Sequence, residues 1–161
     1  MKISFMLIAI GIISTLMMDL GGTVLRKSRL TAGAPPQLVG KWLQSAVNGN
    51  VFVSDIRTCP GEPVPLGRFL LYHYIIGTLL TFIFYLIIFL FRVDGISWWM
   101  PLLYGLATTL IPLFLMFPGM GFGIAGLKGP TEFLLLRTAV LNHFLFGIGL
   151  TLTFKWFQLL H

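Results

Sequence analysis

Four long apolar stretches, Ile3 to Val24, Phe69 to Phe91, Ile96 to Phe117 and Phe133 to Phe154, constrain this chain more than any other feature. A bilayer core of about 30 Å is crossed by around 20 apolar residues at 1.5 Å each. Each stretch has that length, and together they take up more than half of the 161 residues. The second stretch is apolar all round, with His73 its one ionisable residue, as a helix bathed in lipid should be. Only 10% of residues are charged, against about 25% in soluble domains. An ordinary soluble globule, a disordered tail and a nucleic-acid reader are excluded. The pattern predicts an all-α membrane protein: one four-span domain over residues 1–161, folded as an antiparallel four-helix transmembrane bundle.

Lys2 before the first stretch resembles the start of a signal peptide. The run exceeds a 7–15-residue h-region, however, and no small-residue cleavage site follows Asp19. A retained helix is expected, leaving the membrane at Arg26, Lys27 and Arg29. Residues 26–68 form the one sizeable extramembrane segment. Its Ala34-Pro35-Pro36, Val47-Asn48-Gly49-Asn50 and Cys59-Pro60-Gly61-Glu62-Pro63-Val64-Pro65 favour turns over a packed core. One short interfacial helix is expected over 36–47, with Lys41 and Trp42 at the headgroups. The side with the first and third loops carries Arg26, Lys27, Arg29, Lys41, Arg57, Arg68, Lys128 and Arg137, eight basic residues. The other side carries Lys2, Arg92 and Lys155, with Asp94 partly offsetting Arg92. Basic residues stay cytoplasmic, so the long loop is expected in the cytoplasm and both termini outside. The partner expected from this composition is the bilayer, with a homo-oligomer or larger membrane complex open and no nucleic acid. Cys59, the single cysteine, would be a reduced thiol there.

An internal repeat links the second and fourth stretches. His73-x3-Gly77-x2-Leu80-Thr81-x2-Phe84 aligns with His143-x3-Gly147-x2-Leu150-Thr151-x2-Phe154. Gly11 to Leu16 and Gly105 to Leu110 offer a weaker match in the other two stretches. Two tandem helical hairpins would be related by a pseudo-twofold along the membrane normal. Gly77 with Thr81, and Gly147 with Thr151, put small residues four apart on one face, which permits close helix packing.

Ionisable groups within spans are costly and turn toward protein or water. The candidates are Asp19, His73, Arg137 and His143, with Asn142 beside the last. Measured from the flanking basic residues at 1.5 Å per residue, His73, His143 and Asp19 lie at depths of about 7.5, 9 and 10 Å. The three should form one polar layer near the cytoplasmic face. Several chemistries fit such a layer: a register-fixing pair of Asp19 with a histidine or Arg137, a ligand pocket or proton pathway, a bis-histidine haem between His73 and His143, or a zinc site with Asp19 as third ligand. Arg137 is shallow enough to snorkel without a partner.

The end of the third stretch runs Met116-Phe117-Pro118-Gly119-Met120-Gly121-Phe122-Gly123-Ile124-Ala125-Gly126. Its formal G-x-G-x-x-G lacks the preceding strand that a dinucleotide site requires. A helix broken at Pro118, with Gly119, Gly121 and Gly123 as backbone that other helices cover, is one expectation. A plain helix end with a flexible loop is the other. No G-x-S-x-G, H-E-x-x-H or phosphate loop occurs. The residues suggest a non-enzymatic binder, transporter or accessory subunit without a cofactor, with a haem- or metal-binding redox protein as the alternative.

Met18-Asp19, Gly40-Lys41-Trp42, His73-Tyr74-x-x-Gly77, Met116-x-Pro118 with its glycines, and His143-x-x-Phe146-Gly147-x-Gly149-Leu150 together resemble the small bacterial membrane proteins grouped as domain of unknown function 2938. The resemblance covers nearly the whole chain. It implies a four-helix inner-membrane protein with no established activity. Lys41 stands where that family tends to have arginine, and Phe117 where it tends to have glutamine, which argues against a polar role at 117.

Overall fold

The computed structural model describes residues 2–31, 36–62, 64–93 and 95–157. Ala34, Pro35, Pro63 and Asp94 lie outside the described residues, as do the side chains of Lys2 and Glu132. The order of helices is α1 (Lys2–Lys27), α2 (Pro36–Val47), α3 (Leu66–Leu90), α4 (Trp99–Ala107), a π-helical turn (Pro112–Met116), α5 (Phe117–Gly119), a 3-10 turn (Ile124–Gly126) and α6 (Glu132–Trp156). No strand occurs among the described residues. Four helical stretches, Ile3–Lys27, Leu66–Leu90, Trp99–Gly119 and Phe133–Trp156, are long and apolar enough to cross a membrane.

Helix ends are closed by local backbone chemistry. Arg26 and Lys27 occupy the last turn of α1, where positive charge offsets the helix dipole. Arg29 then turns left-handed at φ 59°, and Leu30 N–H reaches back to the Leu25 carbonyl at 3.0 Å. The end of α3 repeats this Schellman geometry, with Arg92 at φ 47° and Val93 N–H on the Ile88 carbonyl at 3.1 Å. Glycine is the usual occupant of that site; arginine carries a steric cost there of about 1–2 kcal/mol.

The third span is irregular, but not where its glycines suggested. The helix runs on through Pro118 to Gly119, and its regular path fails earlier, at the Thr108–Thr109 turn and the π-turn. Pro112 explains this. It has no N–H to offer the Thr108 carbonyl, and its ring crowds that oxygen. The chain widens to a π-turn, with Phe117 N–H bonded to the Pro112 carbonyl.

The chain folds as two compact units, with Met1–Val24, His73–Thr108 and Leu141–His161 in the first and Leu25–Tyr72 and Thr109–Val140 in the second. In the first unit, small residues let the helices approach closely. A Cβ on Gly77 would fall 2.0 Å from Thr15 Oγ1, and one on Gly11 would fall 2.6 Å from the Thr78 Cα. A Cβ on Gly105 would meet the Gly147 Cα at 2.3 Å, and one on Gly149 the Ser14 Cα at 2.8 Å. Where α1 meets α3, and where the third span meets α6, rising numbers on one helix meet falling numbers on the other: 15 with 77 and 19 with 73, then 102 with 147 and 108 with 143. Leu7, Ile10, Met18, Phe84, Ile96, Phe146, Leu150 and Phe154 fill the core between them. Leu71, Ile75, Leu79 and Leu86 of α3 are more than half exposed. They lie along one helix face, a surface that only an apolar solvent suits.

The second unit corrects the expectation that residues 26–68 lack a packed core. Trp42, Ile56, Phe117, Met120, Phe122, Leu135 and Ala139 form one. The Gly40-Lys41-Trp42 motif acts as a clasp for the segment that follows it. Gly40 packs on Val64, where a Cβ would lie 3.1 Å from the valine Cβ. Lys41 Nζ donates to the Cys59 carbonyl, and Trp42 Nε1 donates to the Val51 carbonyl at 2.8 Å. Trp42 is therefore buried in protein, not held at the headgroups. Val53 N–H bonds the Gly119 carbonyl at 2.9 Å, and Ile56 N–H the Met120 carbonyl at 3.0 Å. A Cβ on Gly121 would lie 2.1 Å from the Ser54 carbonyl oxygen, so glycine there lets two backbones touch.

Candidate functional site

Asp19 and His73 are the pair that the polar-layer reasoning brings together. Asp19 lies about two turns before the end of α1, and His73 faces it from α3, with His73 Nε2 3.1 Å from Asp19 Oδ1. Against an ionised carboxylate, which only accepts, this nitrogen is the donor. Side-chain exposure is 25% for His73 and 34% for Asp19. The pair is thus neither sealed in the core nor on an open surface. Tyr74, next along α3, also interacts with the Asp19 carboxylate and stacks edge-on with the His73 ring at 5.9 Å. One carboxylate thereby gathers two polar neighbours from a helix otherwise built mainly of leucine, isoleucine and phenylalanine.

His143 has a different partner. Its Nδ1 lies 2.7 Å from Thr108 Oγ1. The Thr108 oxygen also lies 2.6 Å from the Gly105 carbonyl, so one hydroxyl stands within reach of two partners. His143 also interacts electrostatically with His73. Asn142 Oδ1 is buried without a hydrogen-bond partner among the described residues, and it lies 2.9 Å from where a Gly22 Cβ would stand. Gly22 is three residues from Asp19, hence on the same face of α1.

The other expected residues fall elsewhere. Arg137 is exposed on α6. Pro118, Gly119, Gly121 and Gly123 belong to the second unit, where Gly119 and Gly121 receive the 51–56 segment. Thr81 and Thr151 each return their hydroxyl to the glycine four residues back, at 3.0 and 2.9 Å. Thr108 and Tyr74 are the site residues that sequence reasoning passes over. Thr108 is marked only by its place, three after Gly105, and Tyr74 by adjacency to His73. No group of three or more His, Cys, Asp or Glu poised for a metal occurs among the described residues. A haem held by both histidines would use nitrogens other than His73 Nε2, which Asp19 engages.

A family model described as protein of unknown function (DUF2938) matches residues 8–155. No curated protein and no solved structure matches the chain. Most of the residues that carry the resemblance are packing residues: Trp42, Gly77, Phe146, Gly147, Gly149 and Leu150 all sit at closed contacts. Asp19 and His73 stand apart as a polar pair held by that packing. With nearly its whole length matched, the chain belongs to the DUF2938 family.

Proposed function

We propose that this is a non-enzymatic, multi-pass protein of the bacterial inner membrane that binds or transports a small ligand at the Asp19–His73 pair. In this reading the spans form an antiparallel bundle of two tandem hairpins, with residues 26–68 cytoplasmic and both termini periplasmic. It acts alone, as a homo-oligomer or as an accessory subunit of a larger membrane assembly, and needs no cofactor. The observation that carries the reading is a hydrogen-bonded carboxylate–imidazole pair, only partly covered by protein, set among apolar helices. A purely structural pair gains by complete burial with its bonds satisfied, whereas a binding site must stay reachable.

The repeat supports the same reading. His73 and His143 each begin a His-x3-Gly-x3-Thr series, and each series lies against the preceding span through its histidine and its glycine. The two halves differ in what the histidine meets: a carboxylate in the first, a hydroxyl in the second. Equivalent scaffolds with unequal polar partners favour ionic chemistry on one half alone. A thermal-shift screen of the protein in lipid nanodiscs, against a library of small cations, anions and neutral polar molecules, tests the reading. At least one compound should raise the melting temperature in a saturable way. A library without any such compound contradicts it.

A further inference from the structure

The segment that joins the third span to the fourth is tightly bonded, yet it leaves two branched apolar side chains outside the core. Phe122 N–H bonds the Phe117 carbonyl and Lys128 N–H the Phe122 carbonyl, each at 2.8 Å, so residues 122–128 close a loop on themselves. At its tip Leu127 N–H bonds the Ile124 carbonyl at 3.2 Å, with Ala125 at φ 55° and Gly126 at φ 75°. Positive φ at both central residues makes this a type I′ turn. Alanine rarely adopts such a backbone, and Gly126 pins it: a Cβ there would lie 3.1 Å from the Leu135 Cβ, in the core of the second unit. The two ends of the turn stay outside that core, with Ile124 60% and Leu127 52% exposed. Lys128 follows. Its stem lies along Gly123, where a Cβ would meet the lysine Cγ at 3.1 Å, and the residue is exposed.

The bilayer is the apolar surface within reach of this turn. The third span ends at Gly119 and the fourth begins at Phe133, so residues 120–132 join two membrane-crossing helices at one boundary. Phe133 is 70% exposed, and Arg137, one turn on, is exposed too, so the lipid-facing surface of α6 starts six residues past Leu127. Between 120 and 137 the charges are Lys128 and Arg137 against Glu132, a positive balance. We infer that Ile124 and Leu127 enter the boundary between headgroups and acyl chains, and that Lys128 binds the phosphate of an anionic phospholipid there. The turn supplies the apolar anchor, and the lysine stem on Gly123 carries the ammonium to headgroup height. A zwitterionic lipid brings its own cation beside its phosphate, whereas phosphatidylglycerol brings none, so the lysine selects the anionic lipid. This inference does not depend on what the Asp19–His73 pair does.

Bimane fluorescence on Leu127→Cys, in the full chain carrying Cys59→Ser, tests this in phosphatidylcholine nanodiscs. A minor fraction of the lipid is replaced by brominated phosphatidylglycerol or, in parallel, by brominated phosphatidylcholine. Both should quench the label more than aqueous iodide does. The brominated phosphatidylglycerol should act at about fivefold lower concentration, the attraction of one lysine near the surface. Lys128→Gln should bring the two bromolipids to near-equal effect. Ile124→Cys carries the label if the Leu127 variant does not fold. Quenching by iodide alone would put the turn in water and overturn the inference. Quenching by neither reagent would show the turn covered by a second copy or another protein, which overturns it as well. Equal quenching by the two bromolipids with Lys128 intact, or a preference that survives Lys128→Gln, would remove the anionic lipid.

Discussion

Trp42 shows how one side chain ties a proline- and glycine-rich segment to the rest of its unit. Its indole is buried and donates to the Val51 carbonyl. Trp42→Phe keeps most of the apolar area and deletes the donor, leaving a carbonyl unpaired, so it should cost about 1–3 kcal/mol. A detergent-solubilised thermal melt reads that loss, and an unchanged midpoint would show that the clasp is dispensable. Asp55, outside the spans, offers a titration test. The Arg57 side chain, and then its backbone N–H, hold the Asp55 carboxyl below its ordinary value of 3.8. A depressed carboxyl favours the folded state above the ordinary value, and that advantage fades as pH falls through the lower, folded one. Arg57→Gln should therefore raise the Asp55 titration midpoint toward 3.8, as read by carboxyl NMR shifts. Residue-level legibility is uneven for a physical reason. The depth of Asp19 and His73 follows from a constant rise per residue, so their meeting is readable from the sequence. Which hydroxyl His143 finds depends on helix rotation, and apolar-run length carries no rotational information. The core around Trp42 is hidden for a similar cause: its members come from distant segments with no shared period.

At the scale of helices, close packing rests on glycine against backbone. Gly105→Ala would place a methyl 2.3 Å from the Gly147 Cα. Neither backbone can yield cheaply, so α4 and α6 must separate. The expected loss is about 1–3 kcal/mol, typical of overpacking. Gly67→Ala on α3 is the control, since a Cβ there meets nothing within 4 Å, and its higher helix propensity should leave stability equal or slightly improved. Parallel melts of the two variants check this; equal losses would show that glycine at 105 is not what lets the helices approach. The four spans are legible because desolvating a backbone demands about 20 apolar residues, whatever they pack against. The π-turn is less so. Pro112 and Pro118 look alike in the sequence, yet Pro112 opens the π-helical turn and Pro118 lies inside the short α5 that follows it.

For the whole molecule, the basic residues that favour a cytoplasmic loop all lie in the second unit, from Arg26 to Arg137. Positive charge resists export, so an alkaline phosphatase fused after Asn50 should be inactive and a fluorescent protein fused there bright. The reverse pattern would invert the orientation. Two compact units within one chain are not legible in the sequence, because composition alone does not show that α2 and the glycines after Pro118 share a core. The central claim is that the Asp19–His73 pair binds rather than braces. Asp19→Asn separates these roles, since the amide oxygen still accepts from His73 Nε2 while the charge is lost. The charge on a partly exposed Asp–His pair contributes about 0–1 kcal/mol, equivalent to about 4 °C or less for a chain of this size. The decisive measurement is the melting temperature of Asp19→Asn beside the parent, with and without a stabilising ligand. A binding pair predicts closely matched unliganded midpoints and a ligand-induced rise in the parent alone. A drop of about ten degrees or more without ligand, or an undiminished rise in the variant, would contradict it.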